Sequence, residues 1–573
     1  MAGPAKRPLR VGVMLNSTQV TAWTHKVLQD IAESDCCELA LAMIDDRPSP
    51  SDYREPGILE RLRGFWKQGA FNLYARWDRN RYREPRDAFE TVDATPLIPD
   101  TIRMKVVPKT GRFTDRFSAA DVETVRAADL DVLIRFGFRI LKGGILDCAR
   151  YGVWSYHHGD NREYRGGPAL FWELYERNPV SGTVLQVLTE DLDAGHVIYR
   201  SWSATHFDSL YLNRNANYWK ASGFVIRCLR DLHARGWDYV IQRESQDSRY
   251  DKPIYRAPNA FKVGWLMVRR TIAASRNKLD DMLFQRYNHW RLIVRPAGSW
   301  AIENEKSREW HLVPPTDRFY ADPFLLKKDN RNFVFFEDYR FLESKGLISC
   351  AEIGADGSFG EPEVVLDRGY HLSYPFVFEH EGETFMIPET RSVNRVELYR
   401  AIEFPHKWQF EGVMLDNIAA VDATVHKAGD RLWLFCNIAP EGVSTCDELH
   451  LFSSASLLGP WKPHPRNPVV SDVRRARPAG RLFMHEGALI RPAQDCSVRY
   501  GYAIQLHRVD ALTESDYREE PFRRITPAWQ PGSIGTHTLD QGEDFEVLDA
   551  KFPLRKFRVP QLRVPGVLQQ LEK

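Results

Sequence analysis

The alternation of apolar and polar positions divides the chain into two parts. In the first, residues 9–15 (Leu-Arg-Val-Gly-Val-Met-Leu) read as a buried strand, 23–34 as a helix and 37–44 as a second strand. A strand–helix–strand opening predicts a parallel sheet. Residues 119–128 read as a helix and 131–135 as a strand, with Gly137-Phe138-Arg139-Ile140 as the turn after it. A strand over 152–156 then delivers His157 at its end. The loop that follows holds Gly159, Asp160, Asn161 and Arg165-Gly166-Gly167. Pro168 stands where a first helical residue would, and 169–177 keep helical spacing, with Leu170, Phe171, Leu174 and Tyr175 on one face. A β-branched and Leu-rich run over 183–188 leads into a second carboxylate-bearing turn, Asp191-Leu192-Asp193-Ala194-Gly195. In an open α/β sheet, ligands bind beyond the carboxyl ends of the strands, where both turns fall. Residues 213–232 predict an amphipathic helix that ends near Gly236. The polar stretch 46–100 reads as an insertion or surface excursion.

From residue 290 the period changes. Strand pairs with hairpin turns recur roughly every 50 residues, which is blade spacing. They begin at Tyr320, Ser373, Val421, His485 and Gly535, and five units imply a five-bladed β-propeller. A strand over 290–294 would close the ring. The equivalent first-strand positions are Asp322, Tyr374, Asp422, Glu486 and His537, and such positions point toward a central channel. The expected division is an α/β Rossmann-like domain over 1–210, a helical extension and linker over 211–289, an all-β propeller over 290–556 and a tail over 557–573.

Composition narrows the function classes. A net charge of +1 over 573 residues argues against a dedicated nucleic-acid binder. The eight cysteines include no CxxC pair, so reduced thiols in a cytoplasmic protein are the expectation. No signal peptide or membrane-length apolar run is visible. The absence of GxGxxG argues against a nicotinamide or flavin dinucleotide. Residues 261–286 are basic and amphipathic. They read as a linker helix packed between domains, or as a segment lying on an anionic membrane.

The central block resembles the formyltransferase family, which includes methionyl-tRNA and sugar N-formyltransferases. Its pattern is Asn-x-His, a loop ending in Arg-Gly, then Thr-Gly-x-Thr and Leu-Asp-x-Gly-Asp. Here the corresponding residues are Ser155-Tyr156-His157, Arg165-Gly166, Ser181-Gly182-Thr183 and Leu192-Asp193-Ala194-Gly195-His196. The family's catalytic Asn is therefore Ser155, and the last Asp of its final motif is His196. The resemblance implies 10-formyltetrahydrofolate as donor, with Phe136, Gly137, Phe138, Ile140 and Asp191 near its pocket, and no metal. His157 would stabilise the oxyanion or move a proton. Asp193 would hold the histidine tautomer and act as base. Asn161 and Arg165 would meet the acceptor, unless Arg165 only orients its loop. Ser155 offers one hydroxyl in place of an amide. A lost oxyanion donor raises the barrier by about 3 kcal/mol, so a neighbour such as His158 or Asn161 compensates or the activity is altered. No small β-barrel like that of methionyl-tRNA formyltransferase follows, which favours a small-molecule or sugar acceptor.

Ala321-Asp322-Pro323 resembles the first-blade motif of five-bladed glycoside hydrolases such as family 43. A larger set resembles the N-terminal domain of plant glucosamine inositolphosphorylceramide transferases: His371-Leu-Ser-Tyr-Pro-Phe, Ile387-Pro-Glu-Thr, Leu458-Gly-Pro-Trp and Arg491-Pro-Ala-Gln-Asp-Cys. A glycosidase needs two carboxylates flanking the sugar bond, and Asp322 with Asp422 or Glu486 would supply them, with Glu389 as a further candidate. Tyr374 stands where a glycosidase commonly keeps a carboxylate. The alternative is that these residues bind sugar hydroxyls without chemistry. Three functions follow. The protein N-formylates an amino sugar, with the propeller recruiting the glycan. Or the propeller is the catalyst, as a glycosidase or transglycosylase. Or both parts only bind.

Overall fold

The computed structural model describes residues 7–47, 65–111, 113–190, 195–244, 252, 254–299, 308–439 and 442–557. The first region is built on a seven-stranded sheet. Its strands are β1 (Leu9–Leu15), β2 (Cys37–Asp45), β3 (Arg103–Val106), β4 (Val132–Arg135), β5 (Val153–His157), β6 (Val180–Val187) and β7 (His196–Ala204). The spatial order is β7-β6-β5-β4-β1-β2-β3. Neighbours from β5 to β3 run parallel, and β6 and β7 add an antiparallel edge. The central strands β1 and β4 are near-continuous apolar runs because both faces are covered. On one face, Val27, Leu28 and Ile31 of α1 (Ala22–Ala32) pack with Phe224, Val225 and Leu229 against Val11, Val13 and Trp154. On the other, Val122 and Val125 pack with Ile145 on Met14, Met43 and Leu133.

Between β1 and β4 the strand order reverses, because the chain builds outward through β2 and β3 before returning. Ligands of open α/β sheets bind at such a switch point. The turn after β4 lies there. Gly137 packs against Asn16, at the end of β1, so closely that a Cβ would stand 2.5 Å from Asn16 Oδ1. Only glycine fits that approach.

The polar stretch 46–100, expected as a surface excursion, contains α2 (Ala70–Tyr82), whose Phe71, Tyr74 and Asp78 are buried. Its six charged or amide side chains in thirteen residues obscure the apolar face. The helix expected from Pro168 starts three residues later, as α3 (Phe171–Glu176), because Leu170 takes a left-handed conformation that interrupts it. The helix expected over 213–232 is two, α4 (Leu210–Ala221) and α5 (Phe224–Arg235), broken at Ser222-Gly223.

A long helix, α6 (Ala260–Leu283), leads to the second region. It buries Val263 and Leu266 against Phe171 and Trp172. Its opposite side leaves Phe261, Trp265, Val268 and Ile272 exposed. Among the described residues no helix is long and apolar enough to cross a membrane.

The second region comprises five successive antiparallel sheets among the described residues, four of four strands and one of five. The first of these pairs Phe284–Pro296 with Phe545–Phe557 along their whole length, so both ends of the region meet in one sheet. The apolar core runs between neighbouring sheets, as Phe324, Phe376 and Tyr374 show by packing together across the first joint. This is the arrangement of propeller blades.

The two regions share a polar junction. Arg227 of α5 makes paired bonds of 2.7 and 2.8 Å to Glu448. Lys220 of α4 donates to Asp447 at 3.0 Å, and Val473, Cys446 and Cys496 pack on Ala204.

Candidate functional site

Ser155 and His157 lie two residues apart on β5 and therefore on one face of the sheet. Ser155 is buried, and its hydroxyl accepts from Arg135 Nε on the neighbouring β4 at 3.1 Å. His157 Nε2 lies 2.7 Å from the Tyr164 carbonyl, across the tight turn at Gly159. The fixed donor beside Ser155 is thus a guanidinium, and neither His158 nor Asn161 takes that place. Asn161 Oδ1 accepts from Arg200 at 2.9 Å. His158 stacks on Tyr218 with centroids 3.5 Å apart. Burial, then the charges of His157 and Arg214, push its pKa well below the usual histidine value, so it is neutral.

Phe136, Gly137, Phe138 and Ile140 lie at the switch point. Phe136 and Gly137 donate their amides to the Met14 carbonyl, at 3.0 and 2.9 Å. Phe138 donates its amide to Asn16 Oδ1 at 2.9 Å, and Ile140 pairs with Thr114. The Phe136 ring packs on Trp23 and Tyr156, and the Phe138 ring on Phe117. Asp191 and Asp193 lie outside the described residues. Arg165 donates Nε to the Asn161 carbonyl at 3.0 Å, which braces the loop it belongs to.

That loop is one wall of a groove between the two regions. A cavity of about 620 Å3 is bounded by Asp160, Glu163 and Trp202 on one side and Arg474, Asp495 and Arg524 on the other. Trp202 Nε1 donates to Asp160 at 3.0 Å, and the Arg474 guanidinium lies 4.8 Å from its ring. Sequence reasoning missed Trp202 and Arg474, because their meeting depends on how the regions dock.

At the propeller centre, Asp322, Tyr374 and Asp422 converge as expected. Each is buried, and each has a left-handed φ (52°, 44° and 53°) at a bulge in the first strand of its sheet. Glu486 does not join them. It and Gly487 form the two-residue turn between Phe483–His485 and Ala488–Asp495, and its side chain is 84% exposed. Positive φ at both residues (48° and 78°) is what such a hairpin requires. Arg477 enters the centre instead. Its Nε and NH2 hold Asp422 at 2.5 and 3.2 Å, with Gln494 adding a third donor at 2.9 Å.

Glu389, on the second strand of its sheet, sits 3.6 Å from Arg477. Burial, and then Asp422 beside it, push its pKa well above the usual carboxylate range. Burial does the same to Glu337, with Asp322 adding to it. Burial also raises Asp322, to about 6, against the pull of His537. His537 pairs through Nδ1 with Asp549, and its Nε2 lies 3.6 Å from Asp322. One ligand atom from each of Asp322, His537 and Asp549 falls within 4.8 Å of the others, a spacing that a cation can bridge.

Residues 297–527 match the family model of the glucosamine inositolphosphorylceramide transferase 1 N-terminal region. The transferase of that name from Oryza sativa subsp. japonica is 35% identical over 251 residues, covering 41% of this chain and 34% of that protein. The chain thus spans about one third of the length of the curated transferases it matches. The methionyl-tRNA formyltransferase of Chlorobium limicola is 23% identical over 248 residues, covering 42% of this chain and 71% of that enzyme. Among solved structures, Zg3597, a family 117 glycoside hydrolase of Zobellia galactanivorans, aligns at 11% identity. It covers 47% of this chain and 91% of its own, with a TM-score of 0.31 that is too low to argue from.

Proposed function

We propose that the protein is a carbohydrate-directed transferase that N-formylates an amino sugar, with 10-formyltetrahydrofolate as donor. The observation that carries this reading is the contact between Arg135 and Ser155 beside His157. Formyl transfer passes through a tetrahedral oxyanion and needs a preorganised donor aimed at it. Arg135, its Nε–H held by the Ser155 oxygen, places a guanidinium charge beside the position where the family has a neutral amide, and charge-assisted bonds are about twice as strong.

The donor residues fit a flat heteroaromatic group. The switch-point turn is flanked by the rings of Trp23, Phe136 and Tyr156, and its backbone is fixed by Met14 and Asn16. The sugar amine attacks the formyl carbon of the bound folate, and the tetrahedral intermediate collapses by breaking that carbon's bond to the folate nitrogen, which leaves as tetrahydrofolate with a proton. His157 orients and stabilises the oxyanion from the sheet face it shares with Ser155. The carboxylate of Asp193, as the motif implies, takes the proton of the attacking amine. The groove at Trp202 and Arg474 receives the rest of the glycan, so the propeller completes the acceptor side.

Calorimetric titration of 5-formyltetrahydrofolate, a stable donor analogue, tests the donor half. Micromolar binding to the full chain supports the reading. No heat at millimolar folate sinks it.

A second reading rests on the propeller centre. Glu337 and Glu389, whose pKa values burial pushes well above the usual carboxylate range, stand beside Asp422, which Arg477 holds. Two carboxyl groups in different environments are the equipment of glycoside cleavage. Turnover of any aryl glycoside that Asp322→Asn and Glu389→Gln abolish would favour it. Turnover left intact in both variants would remove it.

A further inference from the structure

Beside the seven-stranded sheet, α2 and the start of α4 enclose a cavity of about 590 Å3. Four arginines line it (Arg76, Arg79, Arg83 and Arg214), with Phe89 and Tyr211 as an aromatic wall, and none of its lining residues is acidic. Arg76, Arg79 and Arg83 fall at i, i+3 and i+7, one face of a helical stretch. Arg83 caps the C-terminal end of α2, where a cation is favoured.

Asp87 pairs with both Arg79 and Arg83, and the charges of Asp78 and Glu173 act on Arg214. Arg79 donates through Nε and NH2 to a single oxygen of Asp87, at 3.2 and 2.6 Å. Arg83 approaches the same oxygen at 3.0 Å. Asp87 is buried, so two guanidiniums share one carboxylate. Arg214, on α4, spends Nε on the Ala169 carbonyl at 3.0 Å. Burial lowers its pKa, the mark of a cation held where water is scarce. An anion entering the cavity would relieve that cost. The arginine forks match phosphate oxygens, and the Phe89–Tyr211 wall suits a ring attached to them.

We infer that this cavity binds a small phosphate-bearing ligand, a sugar phosphate or a nucleoside diphosphate, held by Arg76, Arg79, Arg83 and Arg214 against Phe89 and Tyr211. The site adjoins the proposed formyl-transfer centre through α4. Arg214 lies one turn before Tyr218, on which His158 stacks, and Ala169 follows the Arg165 loop. Its phosphate chemistry does not depend on the formyl-transfer reading, because binding is measured without turnover.

The test is calorimetric titration of inorganic pyrophosphate and of uridine diphosphate into the full-length protein at physiological ionic strength. The variants are Arg76→Ala, Arg83→Ala and the two combined. Thermal unfolding of each shows that the fold is kept, and Arg76→Ala guards against loss of the Asp87 contacts. The expected result is saturable binding of at least one probe, weakened about tenfold or more in the double variant, with uridine diphosphate the tighter. Two results would overturn the inference: no binding of either probe at millimolar concentration, or unchanged affinity in the double variant.

Discussion

Arg227 and Glu448 face each other across the junction of the two regions in a two-pronged ion pair, with bonds of 2.7 and 2.8 Å. Glu448 also accepts from Ser471, and Tyr199 shares Arg227. Burial alone would raise the Glu448 pKa, but Arg227 overrides it and holds the carboxyl at about 2. The pair therefore fixes the groove whose walls come from both regions.

Removing one partner leaves the other buried and uncompensated, at a cost of about 3–5 kcal/mol. Glu448→Ala is expected to lower the unfolding midpoint in denaturant. A Glu448→Ala chain as stable as the parent would show that the junction is not held by this pair.

The same pair gives the junction its acid sensitivity. The folded pKa of Glu448 lies below the ordinary 4.5, so its contribution is complete above 4.5 and fades as pH falls toward 2. Acid titration of parent and Glu448→Gln should show the stability gap between them closing over that interval. A gap that stays constant would contradict the assignment.

Glu173 works in the opposite direction. It is buried in α3, burial raises its pKa to about 8, and its Oε1 is without a hydrogen-bond partner among the described residues. A raised carboxyl pKa means that stability falls as pH rises from 4.5 toward 8. Glu173→Gln should stabilise the protein by roughly 1–3 kcal/mol at pH 7 and make little difference at pH 4. Equal unfolding midpoints at pH 7 would refute this.

In the proposed function Trp202 contacts the glycan acceptor without touching the reacting atoms. Trp202→Ala should raise KM for the acceptor by roughly 2- to 10-fold, the loss of about 0.5–1.5 kcal/mol of stacking, and leave kcat within a few-fold. A fall in kcat at constant KM would move Trp202 out of the acceptor groove.

Much of the fold is legible in the sequence. The apolar run of β1 and the His157-bearing β5 stand out because parallel strands bury both faces. The propeller units stand out because their hairpins repeat. The α2 helix does not, since its arginines answer to a cavity rather than to the core. Glu486 misleads for a local reason: its offset mimics Asp322 and Asp422, but the following glycine makes it a hairpin tip. Asp322 and Asp422 were readable from their motifs. Arg135, Arg477, Trp202 and Arg474 were not, because each acts on a residue far away in the chain. Only the folded sheet brings Arg135 to Ser155.

Formyl transfer at His157 is the activity proposed for this protein. The most direct measurement follows isotopically labelled formyl from 10-formyltetrahydrofolate to a panel of free, phosphorylated and nucleotide-linked amino sugars. Parent, His157→Ala and Arg135→Ala would be compared. The account predicts an N-formylated product with the parent, none with His157→Ala, and a rate about 10²–10³ lower with Arg135→Ala at unchanged folate affinity. Label that stays on the folate with every acceptor, or that His157→Ala transfers as fast as the parent, would contradict it.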